Sequence, residues 1–182
     1  MSPARNSAPL LDAGVRLDAL PLAGRRLAVA ATKEQCAAIA ERLGILSVDR
    51  LEAELLARPI KGGIEVGGSL DAEVTQECVV SFEPVPERIA EKPFRLFLSG
   101  VSGEPEHNAG AEVFVDLDGA DPPDYFEGPE ADLSEWLIET LALALNPYPR
   151  KPGAEIDPDY RDGEDDKDSP FKALKDLKPT KP

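Results

Sequence analysis

From Ser47 to Phe82 the apolar side chains recur at every second position: Leu51, Ala53 and Leu55, then Ile64 and Val66, then Leu70, Ala72 and Val74, with Gln76 in the same phase. A period of two puts alternate residues on opposite faces of an extended chain, so this stretch is built to bury one face of a sheet. Gly62-Gly63 and Gly67-Gly68 break it, which predicts antiparallel strands with tight glycine turns or bulges. Arg25 to Ala30 reads as an earlier strand. Two later ones are expected where Phe94, Leu96 and Leu98 alternate with Arg95 and Phe97, and where Val113 and Val115 alternate with Phe114 and Asp116.

Two helices flank this material. Thr32 and Gln35 have capping-box spacing, Cys36, Ile39, Ala40 and Leu43 form one apolar stripe, and Gly44 supplies a left-handed stop. Asp132 and Glu135 repeat the capping-box spacing before a second stripe of Leu133, Trp136, Leu137, Leu141, Ala144 and Leu145, which Pro147 ends. The phase of Trp136 with the leucines assigns it to the core. The fold class is therefore α+β: an antiparallel sheet of about five or six strands, able to curl into a partly open barrel, with two packed helices and a disordered C-terminal arm. The expected organisation is a loose lead-in over 1–20, a single domain over 21–149 and a tail over 150–182. In that tail 153–169 is too rich in Asp, Glu, Gly and Pro to bury anything. A short basic helix is expected near 170–178, with Phe171, Leu174 and Leu177 on one face and Lys172, Lys175 and Lys178 around it.

The formal charge is −15, and the stretch between Arg95 and Arg150 holds twelve acidic residues, one histidine and no lysine or arginine. Such a surface repels phosphate backbones and attracts basic partners, which disfavours extensive RNA binding but not a local contact. No Gly-rich phosphate loop, paired His/Glu metal spacing or nucleophile elbow occurs, so no catalytic residue is assigned. His107 sits among acids in a loop and receives no role. The acids from Asp116 to Asp124 lack the ligand ladder of a calcium loop. Cys36 and Cys78 are far apart and read as small buried hydrophobes, Cys78 continuing the alternation with Gln76 and Val80. No metal and no cofactor is expected. No leader or membrane-spanning run is evident, and the expected setting is the reducing cytoplasm, away from membranes.

One cluster remains. The second helix runs into Asn146-Pro147-Tyr148-Pro149-Arg150-Lys151, a proline-stiffened exit with an aromatic face and two cations. It reads either as a linker whose tyrosine packs back on the domain, or as a contact point in which Tyr148 stacks while Arg150 and Lys151 meet phosphate. The candidate binding residues are Tyr148, Arg150, Lys151, Lys172 and Lys175.

The tracts Val74 to Val85, Glu135 to Leu145, Asn146 to Gly153 and Ser169 to Leu174 together resemble the YceD family, the bacterial large ribosomal RNA subunit accumulation protein, in its alphaproteobacterial form. The resemblance runs in consistent order from about Arg25 to Leu177. Many members carry a C-x-x-C pair at the mid-chain strand and further cysteines after the second helix, a pattern that suggests metal binding. Here Val79, Val80 and Ser81 follow Cys78, and prolines and cations occupy the exit, so no metal is carried over. The resemblance implies a non-enzymatic ribosome-biogenesis factor whose partner is a large-subunit ribosomal protein or a pre-ribosomal particle. An acidic surface suits a basic ribosomal protein awaiting assembly. The alternative is a factor that contacts ribosomal RNA through Arg150, Lys151 and the basic helix, and the remote one is a metal-dependent hydrolase built on the acids around Asp116.

Overall fold

The computed structural model describes residues 9–100 and 122–155. In chain order its elements are β1 (Gly14–Arg16), a short 3-10 turn (Leu17–Ala19), β2 (Arg25–Ala30), α1 (Lys33–Leu43), β3 (Ser47–Ile60), β4 (Gly63–Glu77), β5 (Pro84–Glu91), β6 (Phe94–Ser99), β7 (Asp124–Phe126), β8 (Glu130–Asp132) and α2 (Ser134–Ala144).

The period-two stretch becomes one long hairpin. β3 and β4 pair antiparallel from Ile60↔Gly63 out to Ser47↔Thr75, with one irregularity between Val48 and Arg50. Gly62, at φ 82°, makes the turn, as its spacing predicts. Gly67-Gly68 does not turn. β4 passes straight through, opposite Leu56 and Leu55. A side chain at Gly68 would place its Cβ 2.0 Å from the Glu54 carbonyl oxygen, so glycine serves here for close approach of two backbones rather than for a bend. The Gly68 N–H donates to the Pro93 carbonyl at 3.1 Å, at the point where the other edge of β4 changes partner. Gly63 to Gly67 pair with β6, and Leu70 to Glu77 pair with β5.

β2 completes one side by pairing with β3, and β7 lies beside β6, giving the order β2-β3-β4-β6-β7 with β5 also on β4. This is the expected α+β class, a mostly antiparallel sheet of six strands with two helices. The sheet is open rather than closed into a barrel, and β7 runs parallel to β6. The strand expected around Val113 lies outside the described residues. The lead-in is not loose from Leu10 onward: Leu11, Ala13 and Val15 are at most 2% exposed, and β1 pairs antiparallel with β8. Their own period of two carries them into the core, a signal masked by the Ala/Pro/Ser content around them.

One face of the hairpin is apolar. Leu51, Ala53, Leu55 and Ala57 of β3 and Ile64, Val66, Leu70, Ala72 and Val74 of β4 are buried in a single core with residues of both helices. The opposite face carries cross-strand ion pairs, Arg50–Glu73, Arg88–Glu73 and Arg58–Glu65, each exposed and worth little by itself. α1 forms as its sequence predicts. Thr32 Oγ1 accepts from the Gln35 N–H at 3.3 Å, Gln35 Oε1 accepts from the Thr32 N–H at 2.8 Å, and Gly44 closes the helix at φ 67°. α2 begins differently from expectation. Asp132 Oδ1 accepts from the Ser134 N–H at 2.9 Å, while the Glu135 carboxylate is drawn off into a bidentate pair with Arg42 of α1, so no capping box closes. Trp136 is buried as expected and meets Phe97 of β6 edge to face, with ring centroids 5.6 Å apart.

Replacement of Gly68 by alanine is expected to destabilise the fold by about 1–3 kcal/mol through overpacking of the two backbones, and Trp136→Ala by about 3–5 kcal/mol. Denaturant unfolding followed by circular dichroism measures both. A neutral Gly68→Ala would contradict the close approach.

Candidate functional site

α2 ends at Leu145, whose N–H reaches the Leu141 carbonyl, because Pro147 has no N–H to continue the ladder. The exit then folds back on the end of β4 through a run of hydrogen bonds. Asn146 Oδ1 accepts from the Tyr148 N–H at 3.0 Å, and the Asn146 carbonyl accepts from Gln76 Nε2 at 3.0 Å. The Pro149 carbonyl accepts from the Val79 N–H at 2.9 Å, the Lys151 N–H points at Cys78 Sγ at 3.4 Å, and Lys151 Nζ pairs with Glu83 at 2.7 Å. Two segments some seventy residues apart are thus stitched into one surface.

On that surface Tyr148 is 72% exposed and does not pack back on the domain. Arg150 is exposed beside it. Lys151 shares the segment, but Glu83 neutralises its charge, so aromatic and cations are close in sequence without forming a doubly cationic pair. Lys172 and Lys175 lie outside the described residues, as do His107 and the acids from Asp116 to Asp121. Val79, Phe82 and Leu46 are also exposed here. Phe82 holds φ 59°, a left-handed conformation unusual for a bulky residue, fixed by its N–H to the Cys78 carbonyl at 3.0 Å and by the Cys78 N–H to the Glu83 carbonyl at 2.9 Å. Sequence reading missed Gln76 and Glu83 as organisers of this surface. The phase of Gln76 with the core valines was the available signal.

Two clefts flank Trp136. One, of about 550 Å³, is lined by Phe97, Trp136 and Ile138 and by the acids Asp124, Asp132, Glu135 and Glu139, with Arg42 beside Glu135. The other, of about 520 Å³, is lined by Phe94, Arg95, Thr140 and Leu143 among others. Arg95 is largely buried and faces Asp124 at 3.5 Å and Glu139 at 3.8 Å. Among the described residues no group of three or more His, Cys, Asp or Glu side chains is placed to hold a metal ion, and no helix is long and apolar enough to cross a membrane.

A family model described as "Large ribosomal RNA subunit accumulation protein YceD" matches residues 66–178, more than half of the chain. The chain belongs to the YceD family. No significant match is found among curated proteins or among solved structures. The match begins at Val66 within β4 and takes in β5, β6, α2 and the exit, so both stitched segments lie inside the YceD region. The family description names accumulation of large-subunit ribosomal RNA and no reaction.

Within this YceD surface Cys78 is buried as expected, but its sulfur is held by polar groups. β4 ends at Glu77, and the chain curls around the sulfur instead of continuing the alternation. Sγ accepts from the N–H groups of Val80 at 3.5 Å, Ser81 at 3.4 Å and Lys151 at 3.4 Å. The Lys151 N–H above all, then the dipole of the nearby Ser81 hydroxyl and the Ser81 and Val80 N–H groups, stabilise the thiolate and lower the Cys78 thiol from its ordinary 9.0 to about 6. Cys36, by contrast, is pushed up by burial and then by Asp49. A metal does not fit around Cys78: the neighbouring groups turn N–H donors, not lone pairs, toward the sulfur.

A folded-state thiol below its unfolded value contributes stability that is fully present above pH 9 and is lost as the pH falls through about 6. In a Cys36→Ala variant, thiolate ultraviolet absorbance of the native chain is expected to titrate with a midpoint near 6, and Cys78→Ala should abolish that transition. A native midpoint near 9 would show that the cradle does not hold a thiolate.

Proposed function

We propose that this YceD-family chain is a non-enzymatic, cytoplasmic ribosome-biogenesis factor that supports accumulation of large-subunit ribosomal RNA by binding a basic large-subunit ribosomal protein or an assembly intermediate containing one. The observation that carries this reading is the sign of the surface. The formal charge is −15, and the lysine at the exit is already paired with Glu83. Free ribosomal proteins are cationic and misbind nucleic acid, and a carboxylate-rich surface competes for those cations until RNA displaces it. The large ribosomal subunit enters this reading through the family, not through a catalytic constellation.

A second reading has one observation in its favour. The Tyr148 ring is 72% exposed and stands two residues from Arg150, a pairing that suits one unstacked base and one phosphate. Lys172, Lys175 and Lys178 would extend that contact.

Capture with the tagged full chain separates the two. Under the first reading, large-subunit ribosomal proteins remain bound after nuclease treatment. Their recovery falls when Glu104, Glu106, Glu127 and Glu130 become glutamine, by about two- to fivefold per effective ion pair, and also falls at moderate salt. Arg150→Ala with Lys151→Ala leaves it unchanged. Loss of all bound material with nuclease, together with sensitivity to the Arg150 and Lys151 substitutions, would instead establish RNA as the tether.

A further inference from the structure

A smaller cleft of about 270 Å³ opens where the α1–β3 turn, the end of β4 and the exit from α2 converge. Ile45, Leu46, Val79 and Pro149 supply its apolar walls, and Gln76 and Glu77 are the polar side chains in its lining. Leu46 and Val79 are about half exposed, at 52% and 44%, and Glu77 is exposed with no ion pair among the described residues.

Gln76 makes this cleft chemically one-sided. The residue is only 8% exposed. Its Nε2 donates to the Asn146 carbonyl, an atom that can only accept, so the amide orientation is set and Oε1 must be the other end. That Oε1 is shielded from solvent and takes no hydrogen bond from any described residue, although a buried unsatisfied acceptor ordinarily destabilises a fold. The Pro149 carbonyl is already occupied by the Val79 N–H. Of the two polar side chains here, Glu77 offers an exposed carboxylate and Gln76 an unpartnered Oε1, its Nε2 being already engaged by Asn146, between aliphatic walls.

We propose that this cleft binds a lysine or arginine side chain of a basic protein partner. The aliphatic stem lies against Leu46, Val79 and Pro149, the cation meets the Glu77 carboxylate, and with Leu46 or Val79 turned aside an N–H of the head group satisfies Gln76 Oε1. Long cationic side chains pair an apolar stem with a polar tip in this way, and a space near the small end of ligand-pocket sizes suits one side chain rather than a drug-sized molecule. An anion is repelled by the Glu77 carboxylate. This inference deepens the reading of a basic protein partner and rests on it, giving that partner a specific point of entry distinct from diffuse attraction to the acidic surface.

The test is site-resolved nuclear magnetic resonance of the full chain titrated with a Gly-Gly-Lys-Gly-Gly peptide, its arginine counterpart, and a control with norleucine in place of lysine. The cationic peptides are expected to shift the amides of residues 44–46 and 76–79 together, and the norleucine peptide to leave them in place. Glu77→Gln should weaken that local binding by about fivefold, and Leu46→Lys, which presents a cation at the cleft mouth, should abolish it. Glu87→Gln, a partly exposed acid on β5, should change nothing. Shifts spread over the acidic surface and reduced equally by Glu77→Gln and Glu87→Gln would overturn the proposal, as would movement of the same amides by a single-stranded oligoribonucleotide but not by the peptides. Ribosomal-protein capture by Glu77→Gln separates the two levels. Undiminished capture alongside absent peptide shifts sinks the cleft alone, whereas no capture by the unsubstituted chain sinks the partner reading itself.

Discussion

The pairing of β3 with β4 is the constraint on which everything else in this molecule depends. It runs unbroken in direction from the Gly62 turn to Ser47↔Thr75, far longer than an average strand pair, and its two faces differ completely in character. A slip of one residue would exchange Leu51, Ala53 and Leu55 for Glu52 and Glu54 on the core side. The register is therefore held by burial as well as by hydrogen bonds. β2 then has one edge to join, and β5 and β6 share the other end to end, with Gly68 and Pro93 at their junction. Both helices cover the same apolar face because only that face needs covering.

The far end of β4 is where this scaffold becomes a surface. Gln76 and Cys78 continue past the last core valine, and each is claimed by the chain leaving α2, through Asn146 and Lys151. That segment is pinned by N–H groups on the Cys78 sulfur and by contacts to the Asn146 and Pro149 carbonyls. Such a cradle holds shape without adding positive charge, and Lys151 is cancelled by Glu83. The local field consequently stays acceptor-rich, consistent with a carboxylate-dominated body whose chemistry favours basic partners over phosphate.

Features whose causes are local were legible in the chain itself. Thr32, Gln35 and Gly44 specify α1 because capping and the left-handed stop involve residues within a turn or so of each other. The hairpin was legible because alternation over that length admits no other burial, and Trp136 because its phase agrees with three leucines. The misreadings share one origin. Asp132 and Glu135 have the spacing of a capping box, yet Arg42, ninety-three residues away, takes the Glu135 carboxylate. Gly67-Gly68 looks like a turn, yet its use is decided by the Glu54 backbone crossing beside it. The parallel placement of β7 against β6 and the anchoring of Leu11 to Val15 likewise depend on partners that local pattern does not name.

The sequence by itself determined the fold class, the apolar face of the hairpin, the two helices, the sign of the surface and the family resemblance. Each of these is a property of residue type and short-range spacing, and survives without knowledge of who meets whom. Only the tertiary structure decided that Cys78 holds its sulfur in an N–H cradle, that Lys151 pairs with Glu83, and that Gln76 leaves one buried acceptor beside an exposed glutamate. Those outcomes turn on angstrom-scale approach between segments about seventy residues apart, and hydrogen bonding falls away too steeply with distance and angle for spacing in the chain to foretell it.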